Sequence, residues 1–156
     1  MCEFMKGLEL KVYPLAVLMV CLLLNQLIVW VLPLHTDIVL LEKLWPGLLI
    51  CGLGLPAIGV WQFNRVATTV DPSQPNKSQQ LVTHGLYAHT RNPMYLGFLL
   101  LLLAQVCWLG QLAALTGCVV FVVYIQLFQI NPEQRLLKQM FGEQYNQYCQ
   151  RVRPWL

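Results

Sequence analysis

Charge is what this chain of 156 residues has least of: Lys, Arg, Asp and Glu together make up 11% of it. Ten Lys and Arg stand against seven Asp and Glu, and the net charge of +3 includes no basic run dense enough to follow a nucleic-acid backbone. The six cysteines form no C-x-x-C pair, and His35, His84 and His89 stand without further ligands at metal-binding spacing. Those absences argue against nucleic-acid binding, a redox dithiol and a metal centre, and they leave the cysteines as reduced packing residues. There is no internal repeat or low-complexity tract. The N-terminus lacks a basic region, a short apolar core and a small-residue cleavage site in succession, so the first apolar segment is expected to stay in the chain.

What fills the space is apolar. Hydrophobic residues make up 57% of the sequence, and mean hydropathy is +0.56. No charge occurs between Lys11 and Asp37, between Lys43 and Arg65, or between Arg91 and Glu133, gaps of 25, 21 and 41 residues. A helix rises about 1.5 Å per residue, so a hydrocarbon core of roughly 30 Å takes about 20 apolar residues. The first two gaps suit one span each. One helix over the third would be about 60 Å long, so it is expected to fold back at Trp108-Leu109-Gly110-Gln111.

The expected architecture is all-α, a membrane bundle of four transmembrane helices near 12–34, 44–63, 93–109 and 111–130, forming a single domain. A loop over 64–92 and a tail over 131–156 lie outside the bilayer. Nine of the ten basic residues fall on one side of this arrangement and only Lys43 on the other. By the positive-inside rule both termini, the loop and the tail are cytoplasmic. Within the loop, Asp71-Pro72-Ser73-Gln74-Pro75-Asn76-Lys77-Ser78 reads as solvent-exposed. In the tail, Leu137, Phe141, Tyr145, Tyr148 and Val152 recur at three- or four-residue steps, which predicts an amphipathic helix on the membrane surface or under the bundle.

Polar and aromatic residues crowd one membrane edge, from His84 to Gly97. Asn92-Pro93 is also a sound helix start, with Asn capping free amides and Pro at the first position. Arg91 and Arg65 suit topological anchors, and Tyr87 and Tyr95 suit interfacial aromatics. Structural roles of that kind do not explain the density of the cluster or a second polar group at Glu133. Inside the first span, Asn25-Gln26 is expected to bond a neighbouring helix, with a substrate contact as the lesser reading.

Two blocks resemble a known family, the small membrane methyltransferases that include isoprenylcysteine carboxyl methyltransferase and the phospholipid N-methyltransferases. Leu81-Val82-Thr83-His84-Gly85-Leu86-Tyr87 followed by Arg91-Asn92-Pro93-Met94-Tyr95-Leu96-Gly97 is similar to the first block. Glu133-Gln134, Leu136-Leu137, Phe141-Gly142, Tyr145, Tyr148 and Val152 are similar to the second. Asn92 stands where eukaryotic members carry His, Gln134 replaces the second residue of a Glu-Glu pair, and the end reads Val-Arg-Pro-Trp where Val-Pro-Arg-Trp is usual.

The resemblance implies an S-adenosylmethionine-dependent methyltransferase of a bacterial inner membrane, acting on a lipophilic carboxylate, amine, thiol or phenol. It implies cofactor-binding roles for Leu81, Val82, His84, Gly85, Tyr87, Asn92, Pro93, Tyr95 and Glu133. Arg91 and Arg65 would orient a carboxylate, and Glu133 would take a proton from an amine or thiol. A non-catalytic four-helix membrane protein and a sterol-reductase-like enzyme using NADPH stay open at this point.

Overall fold

The computed structural model describes residues 10–32, 39–65 and 81–156. These are helical, with no strand among the described residues. Helix α1 spans Pro14–Val31, α2 Val39–Arg65, α3 Pro93–Leu109, α4 Leu115–Ile125 and α5 Asn131–Arg151. Short 3-10 turns occupy Gly85–Ala88 and Leu112–Ala114, and a wide π-turn over Gln126–Ile130 joins α4 to α5. The proline-rich stretch from Asp71 to Ser78 lies outside the described residues.

Local chemistry explains the boundaries. Proline opens α1 and α3, where its missing N–H would have had no helical partner anyway. Gly110 ends α3 in the left-handed conformation, with φ 62°, and its amide closes on the Val106 carbonyl. Beyond it the chain runs helically from Leu112 to Arg151, although its apolar part ends at Ile130. The tail helix therefore continues the preceding one through the π-turn. Within it, Gly142 adopts φ 51° and ψ −121° and redirects the last turns.

Three segments, Pro14–Val31, Lys43–Arg65 and Leu112–Arg151, are long and apolar enough to cross a membrane. Helix α3 has 17 residues, about 25 Å of rise, and is the shortest of the apolar rods. The outward faces are apolar: Trp30 is 80% exposed and Ile50 71%. Such faces suit hydrocarbon better than water.

Helix α3 is the centre of the packing. On one side α2 approaches it through small residues, where a Cβ at Gly52 would lie 2.7 Å from Leu101 Cδ2 and one at Gly97 would strike Pro56. On the other side α1 and α4 build a core with it from Val17, Leu18, Cys21, Leu102, Val106, Cys118, Phe121 and Ile125.

One polar node interrupts that core. Asn25 is fully buried and donates from Nδ2 to Gln105 Oε1 at 3.0 Å, while Gln105 Nε2 donates to the Leu22 carbonyl at 3.0 Å. The Gly117 amide donates to Asn25 Oδ1 at 3.0 Å. Gly117 lies in the first turn of α4, where backbone donors have no helical partner, so Asn25 caps that helix from across the bundle. The expected role of Asn25 as interhelical glue is thereby given its partners, whereas Gln26 points outward. Any side chain at position 117 would collide with the Asn25 amide.

Asn25→Leu strands the Gly117 amide and the Gln105 carbonyl in the core, at about 1–3 kcal/mol per unsatisfied group. Thermal unfolding of the detergent-solubilised protein should show a lower midpoint for Asn25→Leu and for Gly117→Ala. Wild-type midpoints in both would show that the node carries no stability.

Candidate functional site

The site is assembled where α2 ends, α3 begins and α5 begins. Gly85–Ala88 docks against the end of α2: the Leu86 amide donates to Gln62 Oε1 at 3.3 Å, and the Phe63 and Tyr87 rings meet edge to face at 5.1 Å. Gly85 has φ 65°, and a Cβ there would run into the Gln62 side chain, so both backbone and space demand glycine. Tyr87 is buried, and its carbonyl accepts from Tyr148 Oη at 2.7 Å. The expected apolar stripe of the tail is packed inward: Tyr145, Tyr148 and Val152 cluster with Leu81, Leu137, Phe141 and Cys149.

At the centre, Tyr95 Oη donates to Glu133 Oε1 at 2.5 Å. Tyr95 sits in the first turn of α3 and Glu133 in the first turn of α5, so one hydrogen bond ties both ends of the apolar hairpin. Glu133 lies three residues past Ile130, where the apolar part of its rod ends, and is half-buried. Burial pushes the Glu133 carboxyl up to about 7, against a smaller downward pull from the Tyr95 hydrogen bond. Burial, followed by the neighbouring Tyr148 and Glu133, holds the Tyr87 phenol well above its ordinary range. Tyr87 thus keeps its proton at neutral pH, and Glu133 exchanges one there.

Asn92 does something other than cap. Its side chain makes no capping bond to α3 and instead donates from Nδ2 to the Pro154 carbonyl at 2.8 Å. Thr90 Oγ1 donates to the same carbonyl at 3.3 Å, and the Arg91 amide donates to the Arg153 carbonyl at 3.0 Å. The C-terminal strap 152–156 is thereby latched across the start of α3. The Arg91 guanidinium turns towards the Cys149 thiol, and its Nε–H is a buried donor without an acceptor.

Leu81 and Val82 are packed, Pro93 is buried, and His84 stands in the open. Arg65 is exposed, with its guanidinium 4.0 Å from the centre of the Trp61 ring. A groove of about 300 Å³ opens between Thr83 and Ala88 on one side and Gln144, Gln147, Tyr148 and Arg151 on the other. Sequence reasoning did not single out Gln62, Thr90, Cys149 or Gln126, and it met Trp155 only in the Val-Arg-Pro-Trp ending. Each acts through a contact with a distant part of the chain, which leaves no mark in local spacing.

The arrangement is a small helical bundle, apolar outside, with a half-buried acid, buried phenols and a half-buried guanidinium gathered at one end. Residues 43–144 match the sequence profile of the phospholipid methyltransferase family, and the chain belongs to that family. It is 32% identical over 108 residues to the protein-S-isoprenylcysteine O-methyltransferase of Schizosaccharomyces pombe, covering 68% of this chain and 45% of that protein. Against protein-S-isoprenylcysteine O-methyltransferase B of Arabidopsis thaliana it is 39% identical over 77 residues, covering 47% and 37% respectively. An uncharacterised protein of Haemophilus influenzae is 46% identical over 63 residues, which is 40% of this chain and all of that protein. The chain thus spans less than half the length of the two methyltransferases that it matches. No solved structure matches it.

The raised Glu133 has a consequence for stability. With a folded value near 7 and an ordinary value of 4.5, the folded protein binds this proton more tightly than the unfolded one. The associated stability is complete below about 4.5 and is lost as pH rises through 7. Glu133→Gln stays neutral throughout, so its stability relative to wild type should improve by on the order of 2 kcal/mol between pH 5 and pH 8. Chemical denaturation at the two pH values measures this, and an unchanged difference would mean that Glu133 titrates normally.

Proposed function

We propose that this chain transfers a methyl group from S-adenosylmethionine to a lipophilic acceptor at the cytoplasmic face of a membrane. The observation that carries this reading is the Tyr95–Glu133 hydrogen bond, formed by two residues inside the region that matches the methyltransferase family. The side chains present suit such a cofactor. The buried, unpartnered Nε–H of Arg91 fits an anionic group such as an acceptor's carboxylate. Glu133 fits an ammonium or hydroxyl donor, and the rings of Tyr87 and Tyr95 suit adenine or a cationic sulfonium. The α3 first turn has no side-chain cap, which leaves its positive dipole end available to a carboxylate.

When bound, S-adenosylmethionine supplies an electrophilic methyl group carried on sulfonium sulfur. The protein's task is then alignment and exclusion of water, because the displacement needs no covalent intermediate. Leu81, Val82, Gly85 and Pro93 give the packed frame, and Asn92 fixes the strap that crosses it. His84 is exposed beside that frame and would be free to contact a polar part of the cofactor. Tyr95 orients Glu133 by donating to one of its oxygens, leaving the other oxygen for a ligand. An amine or thiol acceptor must give up a proton, and Glu133, titrating near 7, is matched to take it at neutral pH. A carboxylate acceptor needs no base and would be held by Arg91. Arg65, exposed and stacked on Trp61, is the second cation that could orient such a carboxylate. The apolar outer faces of the bundle let a lipophilic acceptor reach the site from the bilayer.

Calorimetry of the detergent-purified protein with S-adenosylhomocysteine tests the reading. Wild type should bind, and Tyr95→Phe and Glu133→Gln should each bind about ten- to a hundredfold more weakly, as losing a hydrogen bond to a charged group predicts. No binding by wild type, or binding of NADPH in preference, would sink the proposal. Unchanged affinity in both variants would place the site elsewhere.

A further inference from the structure

The wide turn at Gln126–Ile130 has a visible cause. Pro132 lacks an N–H and cannot donate to the Phe128 carbonyl four residues back, and that carbonyl instead accepts from the Leu10 amide at 3.1 Å. A wide turn inserts about one extra residue, so everything beyond it is rotated by roughly 100° relative to an unbroken α-helix. Glu133 is the first acidic residue past that rotation. Its meeting with Tyr95 therefore depends on the turn being held.

Side chains hold it. Gln129 Nε2 donates to the Val12 carbonyl at 2.7 Å, and Gln126 Nε2 donates to Asn131 Oδ1 at 2.7 Å. The second bond joins positions five apart and so spans the turn from its first residue to the start of α5. An amide, however, has a donor end and an acceptor end and can lie either way round. The Trp155 indole can only donate, and its Nε1–H bonds Gln126 Oε1 at 3.0 Å, which leaves the NH2 end for Asn131. Trp155 is in turn held by the strap, whose Arg153 and Pro154 carbonyls are taken by Arg91, Thr90 and Asn92.

We propose that Trp155 is a positioning residue: by fixing the Gln126 amide it clamps the wide turn that aims Glu133 at Tyr95. This rests on the reading of Glu133 as a ligand-contacting group for its catalytic meaning, although its geometry can be tested separately. Two phenols face Glu133, Tyr95 from α3 and Tyr87 from the 3-10 turn.

The test is a carboxyl titration by NMR of protein in detergent micelles, with 13C-labelled glutamate and Glu133→Gln to assign the signal. In wild type the Glu133 signal should titrate near 7. Trp155→Phe keeps the ring and removes the donor, and Gln126→Leu removes the same bond from the other end. Each should lower the midpoint by about one unit or more towards the ordinary carboxylate value, because a misaimed carboxyl regains water. Trp108→Phe, at the exposed far end of α3, should leave it unmoved.

A wild-type midpoint in folded Trp155→Phe and Gln126→Leu overturns the proposal, as does an equal shift in Trp108→Phe. Should one variant fail to fold, the other decides. Loss of the fold in both also overturns it, since Trp155 would then be holding the bundle and not one side chain. Calorimetry with S-adenosylhomocysteine separates the two readings. Unchanged affinity in Glu133→Gln removes the ligand role while leaving the titration result standing. Tenfold weaker binding in Trp155→Phe alongside the shift supports both.

Discussion

The hydrogen bond between Tyr95 and Glu133 is the tie on which the polar end of this molecule depends. Between those residues the chain carries no charge, crosses the bundle, reverses at Gly110 and returns. Such a hairpin has nothing electrostatic to set its register, and leucine-rich faces slide past one another at small cost. Two constraints remove that freedom. At the far side Asn25 fixes α4 by accepting from the Gly117 amide, and at the near side Glu133 meets Tyr95. Both are polar contacts in an apolar setting, where the alternative to a made bond is an unsatisfied group.

From the near-side tie the remaining contacts follow in order. Aiming Glu133 requires the π-turn, the π-turn follows from Pro132, and a turn short of backbone bonds needs side-chain braces. Those braces draw in Val12 ahead of α1 and Trp155 at the chain's end. Trp155 is placed by Pro154, whose carbonyl collects Thr90 and Asn92. Parts of the chain that look unrelated in sequence thus act on the orientation of one carboxyl group. The Arg-Asn-Pro run contributes through its backbone and amide as much as through its charge.

Some of this was legible beforehand. The helical class, the apolar rods and the reversal at Gly110 followed from charge gaps and helix rise, which are one-dimensional properties. The inward stripe of Tyr145, Tyr148 and Val152 followed from periodicity. That Tyr95 and Glu133 belong together came from the resemblance and not from spacing, since nothing local links residues 38 apart. Asn92 makes no capping bond to α3 and instead donates to the Pro154 carbonyl, a tertiary contact that local sequence does not announce. Gln62 and Gln126 were invisible because glutamine has no positional signature until the partner is known, and Trp155 entered only as the last residue of the Val-Arg-Pro-Trp ending.

Gln134 shows how a single departure bears on the site. A second carboxylate beside Glu133 would raise the proton affinity of the pair through like-charge repulsion, as well as through burial. With glutamine there, burial sets the Glu133 value near 7 and the Tyr95 bond moderates it, so the site holds at most one negative charge on this helix turn. The Gln134 Nε2 group is itself buried without an acceptor. A buried amide donor beside a lone carboxylate welcomes an oxygen or ring nitrogen where a second carboxylate would have welcomed a cation.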